Sequence, residues 1–296
     1  MLSTTNTCSL PGVGIPRFPV LSALLLPLML GLSACTTIEL GEDDAFDNHR
    51  TLTPASFSSE VFTLNEYDVE TPDGEVLNAW WLTRDDAIGT VLYFGGNGFL
   101  LVKSRIMKEA YETFPVNVLF FDYRGYGLST GSPSIEGLLV DIETMYNFAL
   151  EELGASPGQM IFHGHSMGSF MAARMASRYD TAGYILESPV TNVDDWTGRL
   201  VPFLLKPFVR FDIQDEVAAQ DNLAHVQQTE QPLLIITGEA DPITPPGMAE
   251  DLFEAAATPE AHKKLRLIED GGHNDLPDNE NYRDAIREFL EEQLSR

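Results

Sequence analysis

From residue 60 onward, short apolar runs alternate with longer amphipathic stretches, and this alternation limits the possible folds more than any other feature. The runs "GTVLYFGG", "VNVLFFDYRG" and "PLLIITG" are almost wholly apolar, as strands buried on both faces are. Between them lie helical stretches such as "SIEGLLVDIETMYNFALEELG". Strands that alternate with helices of this length form βαβ units. We therefore expect one α/β domain over residues 60–296, with helices on both faces of a mostly parallel sheet of about eight strands.

Turn and cap signals give two local expectations. The runs "VFTLNEYDVE" and "EVLNAWWLT" are separated by "TPDG" at residues 71–74, which predicts a β-hairpin. Ser132 and Pro133 precede the long amphipathic stretch, and this pair is typical of a helix N-cap followed by a first-turn proline.

Residues 190–231 interrupt the alternation. The segment contains "WTGRLVPFLLKPFVRFDIQDEV", in which bulky apolar residues are broken by prolines. We interpret residues 190–231 as a short cap inserted into the domain. Its apolar surface either holds an acyl chain or packs against the core.

The pentapeptide "GHSMG" at residues 164–168 lies between an expected strand and an expected helix. A Gly-x-Ser-x-Gly sequence in this position is typical of a nucleophile elbow, a turn so sharp that neither glycine position has room for a side chain. The turn places the Ser166 hydroxyl at a helix N-terminus. There the helix dipole and the free N–H of Met167 favour developing negative charge. Ser166 is therefore a candidate nucleophile; the alternative is a serine in a tight bend.

A serine hydroxyl needs a base to accept its proton, and His273 is the best placed of the six histidines. It lies in "DGGHNDLP", directly after the last expected strand, at the sheet edge where ligands bind. His163 and His165 are too close to Ser166 in sequence to turn back onto it. They could form a metal-binding pair, but no third ligand lies at a fitting spacing, and we expect no metal.

A carboxylate is needed to orient the imidazole and to stabilise its cation during the reaction. "TGEADPITPP" follows the penultimate expected strand and offers two acids. Asp241 is the predicted partner of His273, and Glu239 is the alternative. A third interpretation is that Asp241 only initiates a turn ahead of Pro242.

The N-terminal segment predicts export and membrane attachment. Residues 1–35 contain no acid and one base, Arg17, and "FPVLSALLLPLMLGLSAC" is too short and too interrupted for a comfortable membrane span. It ends in "LSAC", which resembles a bacterial lipobox. We therefore expect a cleaved signal peptide over residues 1–34, lipidation of Cys35 with palmitate, and a polar tether over residues 35–59. The alternatives are an ordinary signal peptide or a membrane anchor. Thr36 after the cysteine favours the periplasmic face of an outer membrane.

The net charge of −27 excludes one class of partner. Proteins that bind nucleic acids need clustered Lys and Arg for phosphate contacts, and we expect no nucleic acid partner here.

Five motifs together resemble one branch of the α/β-hydrolase superfamily. They are "LYFGGNG", "FDYRGYGLSTGSPS", "GHSMG", "GEADPITPP" and "GGHND", in this order over residues 60–295. The branch is the serine-aminopeptidase-like or lysophospholipase-like group, related to bud-emergence-type α/β-hydrolase-domain proteins. The resemblance implies the α/β-hydrolase fold, the roles of nucleophile, acid and base for Ser166, Asp241 and His273, and no metal or organic cofactor.

The resemblance also implies where an oxyanion would be held. α/β-Hydrolases supply one donor after the nucleophile and one from the loop after the third strand, and Met167 and Asn97 hold these positions here. Relatives usually have His-Gly-Asn where this chain has Gly95-Gly96-Asn97. Because the histidine braces the loop, its absence makes the placement of the Asn97 N–H an open question. Asp122 and Arg124, in the next motif, are expected to lock their loop by hydrogen bonds.

These features predict a serine hydrolase that forms an acyl-enzyme on Ser166. A lipid tether near the site favours carboxylic or lysophospholipid-type esters as substrates. One alternative is a peptidase that acts at peptide N-termini and holds the ammonium group with acids. Another is a membrane-tethered scaffold without turnover.

Overall fold

The computed structural model describes residues 36–46, 59–101, 105–202 and 204–295. The expected signal peptide and Cys35 lie outside the described residues, as does most of the expected tether. The strands are β1 (Thr36–Leu40), β2 (Thr63–Glu70), β3 (Val76–Thr83), β4 (Thr90–Phe94), β5 (Asn117–Phe121), β6 (Met160–His165), β7 (Gly183–Glu187), β8 (Val209–Ile213), β9 (Leu233–Gly238) and β10 (Lys263–Ile268). The helices are α1 (Glu42–Ala45), α2 (Arg105–Tyr111), α3 (Ile135–Glu151), α4 (Gly168–Arg178), α5 (Val193–Leu200), α6 (Asp215–Ala218), α7 (Asn222–Val226), α8 (Gly247–Ala255) and α9 (Glu280–Leu294).

Eight strands form the main sheet, in the order β10–β9–β7–β6–β4–β5–β3–β2. β2 and β3 form the expected antiparallel hairpin, and β3 pairs antiparallel with β5. The other five neighbouring pairs in this sheet are parallel: β5–β4, β4–β6, β6–β7, β7–β9 and β9–β10. β4, β7 and β9 are buried along their whole length, as their apolar sequences require. The predicted mostly parallel sheet is confirmed.

Side chains that alternate along the strands divide the core into two layers. In β4, Leu92 and Phe94 pack on one face with apolar residues of α3, α4 and α8. Val91 and Tyr93 pack on the opposite face with apolar residues of α2 and α9. Helices therefore cover both faces of the sheet, as expected.

The start of α3 differs from the prediction by two residues. Ser134, not Ser132, is the N-cap, and its hydroxyl accepts a hydrogen bond of 3.0 Å from the N–H of Gly137. Pro133 therefore precedes the cap. The serine after the proline is the one whose side chain reaches the third residue of the helix, as an N-cap must.

The segment between β7 and β9 carries α5, β8, α6 and α7. Its β8 pairs in parallel with β1 to form a separate two-stranded sheet. Residues 36–45 were expected in a polar tether, but they form β1 and α1. Phe46, at the end of α1, packs in the main core. No helix within the described residues is both long and apolar enough to cross a bilayer.

Candidate active site

Ser166 lies in a strained turn between β6 and α4. Its φ of 53° is in the left-handed region, which residues other than glycine rarely adopt. Gly164 and Gly168 must both be glycine, because neighbouring backbone atoms leave no room for a side chain at either position. A methyl group at Gly164 would lie 2.1 Å from the carbonyl oxygen of Gly168, and one at Gly168 would lie 2.0 Å from that of Phe94. The turn is held by the N–H of Ser166, which donates to the Glu187 carbonyl at 2.9 Å. The predicted elbow geometry is present.

Three side chains from separate loops meet at the carboxyl edge of the sheet. His273 follows β10, and its Nε2 lies 3.0 Å from the Ser166 hydroxyl. Its Nδ1 lies 2.8 Å from Asp241 Oδ2, on the loop after β9. Since a carboxylate can only accept, Nδ1–H is the donor and Nε2 is free to take the serine proton. The structure thus brings Ser166, His273 and Asp241 together in the order expected from sequence.

Asp241 is fixed by its own loop as well as by His273. Oδ1 accepts hydrogen bonds from the N–H groups of Ile243 at 2.8 Å and Thr244 at 2.9 Å. Oδ2 accepts from the Thr244 hydroxyl at 2.8 Å. Burial alone would raise the pKa of Asp241, but the hydrogen bond from His273 and these further donors hold it below its usual value. Glu239, the alternative partner, is exposed.

The two expected oxyanion donors lie on opposite sides of Ser166 in the chain. Met167 is the N-cap residue of α4, so its backbone belongs to the helix N-terminus at the nucleophile. On the other side, a methyl group at Gly96 would lie 3.2 Å from Ser166 Cβ, which places this loop against the nucleophile. Asn97 is next in the turn, and its Oδ1 accepts from the Tyr126 hydroxyl at 3.0 Å. The N–H of Phe99 closes the turn on the Gly96 carbonyl at 3.0 Å.

The glycine at position 95 has a packing explanation. A methyl group there would lie 2.3 Å from Phe99 Cγ, so the Phe99 ring fills the space that a larger side chain would need. The Tyr123 hydroxyl also donates to the Gly95 carbonyl, at 3.3 Å. Phe99 and Tyr123 therefore brace the loop in place of the histidine that the family resemblance led us to expect.

His165 connects the loop that carries His273 with the loop that carries Gly96, a role that was not expected from the sequence. Its Nε2–H donates to the His273 carbonyl at 2.9 Å, and its Nδ1 would lie 2.8 Å from a methyl group at Gly96. Burial is the main cause that lowers the pKa of His165, which favours the neutral ring. The Gly-x-Ser-x-Gly motif assigns no role to this position, so the sequence contained no signal for it.

His163 belongs to a buried polar cluster beneath the site. Its Nε2 lies 2.9 Å from Glu187 Oε2, and its Nδ1 lies 2.6 Å from the Tyr111 hydroxyl. The Tyr282 hydroxyl donates to the same Glu187 oxygen at 2.9 Å. Burial would raise the pKa of Glu187, but the hydrogen bond from His163 and the neighbouring histidines lower it. Both nitrogens of His163 are thus occupied, and the described residues contain no group of three or more His, Cys, Asp or Glu that could hold a metal.

Asp122 and Arg124 lock the loop after β5, as expected. Asp122 Oδ1 accepts from the N–H of Leu101 at 2.8 Å. Arg124 pairs with buried Asp141 at 2.8 Å and with Asp73 of the hairpin turn at 2.7 Å. These contacts join the hairpin, the loop and α3.

A cavity of about 180 Å³ adjoins the neighbours of the triad residues. His165 and Asn274, next in sequence to Ser166 and His273, contribute to its wall. Five further lining residues are apolar or aromatic: Tyr93, Phe99, Ile106, Met107 and Pro277. Glu187 completes the lining. The one acid in this lining is the carboxylate already bonded to His163 and Tyr282.

Comparison with known protein families matches residues 113–217 to the family described as serine aminopeptidase, S33. The chain is 32% identical over 228 residues to an uncharacterized protein of Mycobacterium tuberculosis, covering 76% of this chain and 78% of that protein. It is 28% identical over 246 residues to the protein bem46 of Schizosaccharomyces pombe, covering 81% and 80% of the two chains.

Solved structures share the fold at lower identity. The esterase Pf2001 of Pyrococcus furiosus superposes with a TM-score of 0.64 at 19% identity, covering 83% of this chain and 98% of the esterase. Est1E of Butyrivibrio proteoclasticus, solved with ferulic acid bound, superposes with a TM-score of 0.61 at 18% identity. The match covers 78% of this chain and 100% of Est1E. These likenesses confirm the expected fold.

Proposed function

The chain belongs to the serine-aminopeptidase-like branch of the α/β hydrolases, and from this premise we propose that it is an esterase that works through an acyl-enzyme on Ser166. One observation carries the proposal: His273 lies 3.0 Å from the Ser166 hydroxyl and 2.8 Å from Asp241. This hydrogen-bonded chain is the arrangement that converts an inert hydroxyl into a nucleophile.

The proposed reaction assigns one role to each group. His273 Nε2 takes the proton of Ser166 as Oγ attacks the ester carbonyl, and Asp241 stabilises the imidazolium that forms. The N–H groups of Met167 and Asn97 hold the tetrahedral oxyanion. His273 then passes the proton to the leaving alcohol. A water molecule, deprotonated by the same imidazole, releases the acyl group and restores the serine.

The adjoining cavity favours an acyl group over an ammonium group. An N-terminal peptidase needs acids free to pair with the substrate amine, whereas the acid in this cavity already accepts bonds from His163 and Tyr282. Five of the eight lining residues are apolar or aromatic, which suits a short hydrocarbon chain better than a charged group. We therefore place carboxylic and lysophospholipid-type esters ahead of peptides as substrates.

A fluorophosphonate probe tests the nucleophile. We expect the protein to be labelled, and we expect the label to be lost in Ser166→Ala and His273→Ala. Ser132→Ala, at an exposed serine, is the matched control and should label normally. Turnover of p-nitrophenyl esters should fall by roughly 10⁴-fold or more in Ser166→Ala. Folded protein that hydrolyses no ester and takes no label would identify it as a scaffold.

A substrate panel tests the reaction class. Short and long p-nitrophenyl esters and lysophospholipids are compared with aminoacyl arylamides at equal enzyme concentration. We expect a higher kcat/KM for the esters. Faster cleavage of arylamides would identify the protein as an N-terminal peptidase.

We further propose that Cys35 carries the membrane anchor and that the domain faces the periplasm from an outer membrane. The lipobox-like "LSAC" and the preceding apolar stretch support this proposal. Labelled palmitate should enter the full chain and should not enter Cys35→Ala. Equal incorporation into both proteins would contradict the assignment.

A further inference from the structure

The end of the cap exposes apolar side chains to solvent. We define the cap tip as residues 204–210, between α5 and the middle of the two-stranded sheet. Leu204 is 80% exposed and Phe208 is 51% exposed, and these are the two most exposed large apolar side chains of the described residues. Neither side chain serves the core. Because both belong to one seven-residue segment, the cap tip is a candidate contact surface.

The cap tip is also basic, although the chain as a whole is strongly acidic. Residues 204–210 contain Lys206 and Arg210 and no acid, in a chain with 45 acids and a net charge of −27. Both side chains belong to exposed residues. Apolar residues interleaved with cations are typical of segments that bind at the surface of an anionic bilayer.

The register of the two-stranded sheet places the N-terminal segment beside this tip. Thr36 pairs with Val209, and both strands run from the tip toward the body of the domain. At the other end of β1, the carbonyl of Leu40 accepts a hydrogen bond of 3.0 Å from the N–H of Gln214. Thr36, the residue that follows the proposed lipidation site in the sequence, therefore lies beside the cap tip.

We propose that the cap tip docks on a bilayer that contains anionic phospholipid. Leu204 and Phe208 enter the interface, and Lys206 and Arg210 contact the phosphates. The proposal rests on the membrane attachment proposed above, because attachment at residue 35 holds the tip against the same surface.

The docked tip would hold the active site close to the bilayer. α5, which leads to the tip, has eight residues and is therefore about 12 Å long. Trp196 of α5 donates its indole N–H to the Ile243 carbonyl at 2.9 Å, on the loop that carries Asp241. The helix that leads to the tip is thus bonded to the loop that carries Asp241.

The test measures contact with lipid at defined positions of the full chain. An environment-sensitive fluorescent amino acid replaces Leu204 in one protein and Ser156 in another. Ser156 is exposed and precedes β6, at the edge of the sheet opposite the site. Each protein is reconstituted into phosphatidylcholine vesicles with about one third phosphatidylglycerol, and quenching by doxyl-labelled phospholipid is measured.

We expect quenching at position 204 to exceed that at position 156 by about threefold or more, because interfacial side chains lie 5–10 Å, roughly, below the headgroups. Lys206→Glu with Arg210→Glu should lower the quenching at 204 toward the control. The control is Arg266→Glu with Arg287→Glu, which makes the same change of charge at two partly exposed positions outside the tip. This control should leave the quenching at 204 unchanged. Equal quenching at 204 and 156 would overturn the docking proposal.

Two outcomes separate docking from attachment. Recovery of the chain with membranes, without selective quenching at 204, would overturn docking and leave attachment intact. Release of the chain from membranes would disprove attachment. If doxyl-labelled lipid in added vesicles still quenched position 204 selectively, the result would support docking alone. A blue shift at 204 without quenching by doxyl lipid would assign the tip to a contact with a second copy of the chain, and docking would be wrong.

Discussion

At the scale of single residues, two acids on one loop differ sharply in surroundings. Asp241 is 4% exposed and contacts His273, whereas Glu239, two residues earlier, is exposed to solvent. The difference follows from the turn at residues 241–244, in which the N–H groups of Ile243 and Thr244 fold back onto the Asp241 carboxylate. An acid held in this way keeps its charge beside the imidazole.

The two acids make a matched pair of substitutions. Asp241→Asn should lower kcat for a p-nitrophenyl ester by about 10⁴-fold, because an amide in this position favours the wrong imidazole tautomer. Glu239→Gln should keep kcat within a factor of about two, since an exposed group makes no contact with the imidazole. Circular dichroism checks that both variants fold. Equal losses in the two variants would remove Asp241 from its proposed role.

The meeting of Ser166, Asp241 and His273 could be predicted because each follows a strand of the parallel part of the sheet, and parallel topology brings such loop residues to one edge. The supporting residues could not. His165 acts through a hydrogen bond to the His273 carbonyl, and Phe99 acts by filling the space beside Gly95. Contacts of this kind depend on how two loops pack, which neither the motif nor its spacing determines.

At the scale of elements, the elbow between β6 and α4 depends on close approach of backbone atoms. The carbonyl oxygen of Phe94, at the end of β4, occupies the position that a side chain at Gly168 would need. Gly158 provides a contrast, because nothing lies within 4 Å of a methyl group built there. The same substitution at these two glycines therefore isolates the effect of the contact.

Gly168→Ala should destabilise the protein by about 3 kcal/mol, because a backbone atom cannot move aside as a side chain can. A loss of this size lowers Tm by roughly 6–12 °C in a domain of this length. Gly158→Ala should change the free energy of unfolding by less than about 0.5 kcal/mol. Thermal unfolding followed by circular dichroism measures both. A Gly168→Ala protein as stable as the control would mean that β4 and α4 separate more easily than the contact implies.

The elements of the main sheet could be predicted because β4 and its parallel neighbours are apolar along their length. The pairing of β1 with β8 could not. Thr36–Leu40 is short and half polar, its partner β8 lies in the proline-interrupted segment between β7 and β9, and only alternate residues of β8 are partly buried. A pairing between distant, weakly apolar segments leaves no periodic signal in either one.

At the scale of the whole molecule, the excess of acids makes stability depend on pH, and one buried acid makes a separable contribution. Asp122 is fully buried, and its partners are the N–H groups of Leu101 and Leu128. Burial raises the pKa of Asp122 to about 6, although these two hydrogen bonds act in the opposite direction. The folded state therefore binds the proton of Asp122 more tightly than the unfolded chain does.

The sign of the effect follows from linkage. A carboxyl whose pKa is raised by folding stabilises the protein below its unfolded pKa, near 4, and this contribution is lost as pH rises through about 6. Two pKa units correspond to about 3 kcal/mol. Asn at position 122 does not titrate, so the Asp122→Asn protein keeps its free energy of unfolding where the unsubstituted protein loses this contribution. As pH rises from roughly 4 to 7, the free energy of unfolding of the variant should therefore increase by up to about that amount relative to the unsubstituted protein. Urea unfolding across this range measures the difference. Asp68→Asn, at an exposed strand position, corrects for the loss of one charge. If the difference between Asp122→Asn and the unsubstituted protein stays constant with pH, Asp122 titrates as an ordinary carboxyl and the raised pKa is wrong.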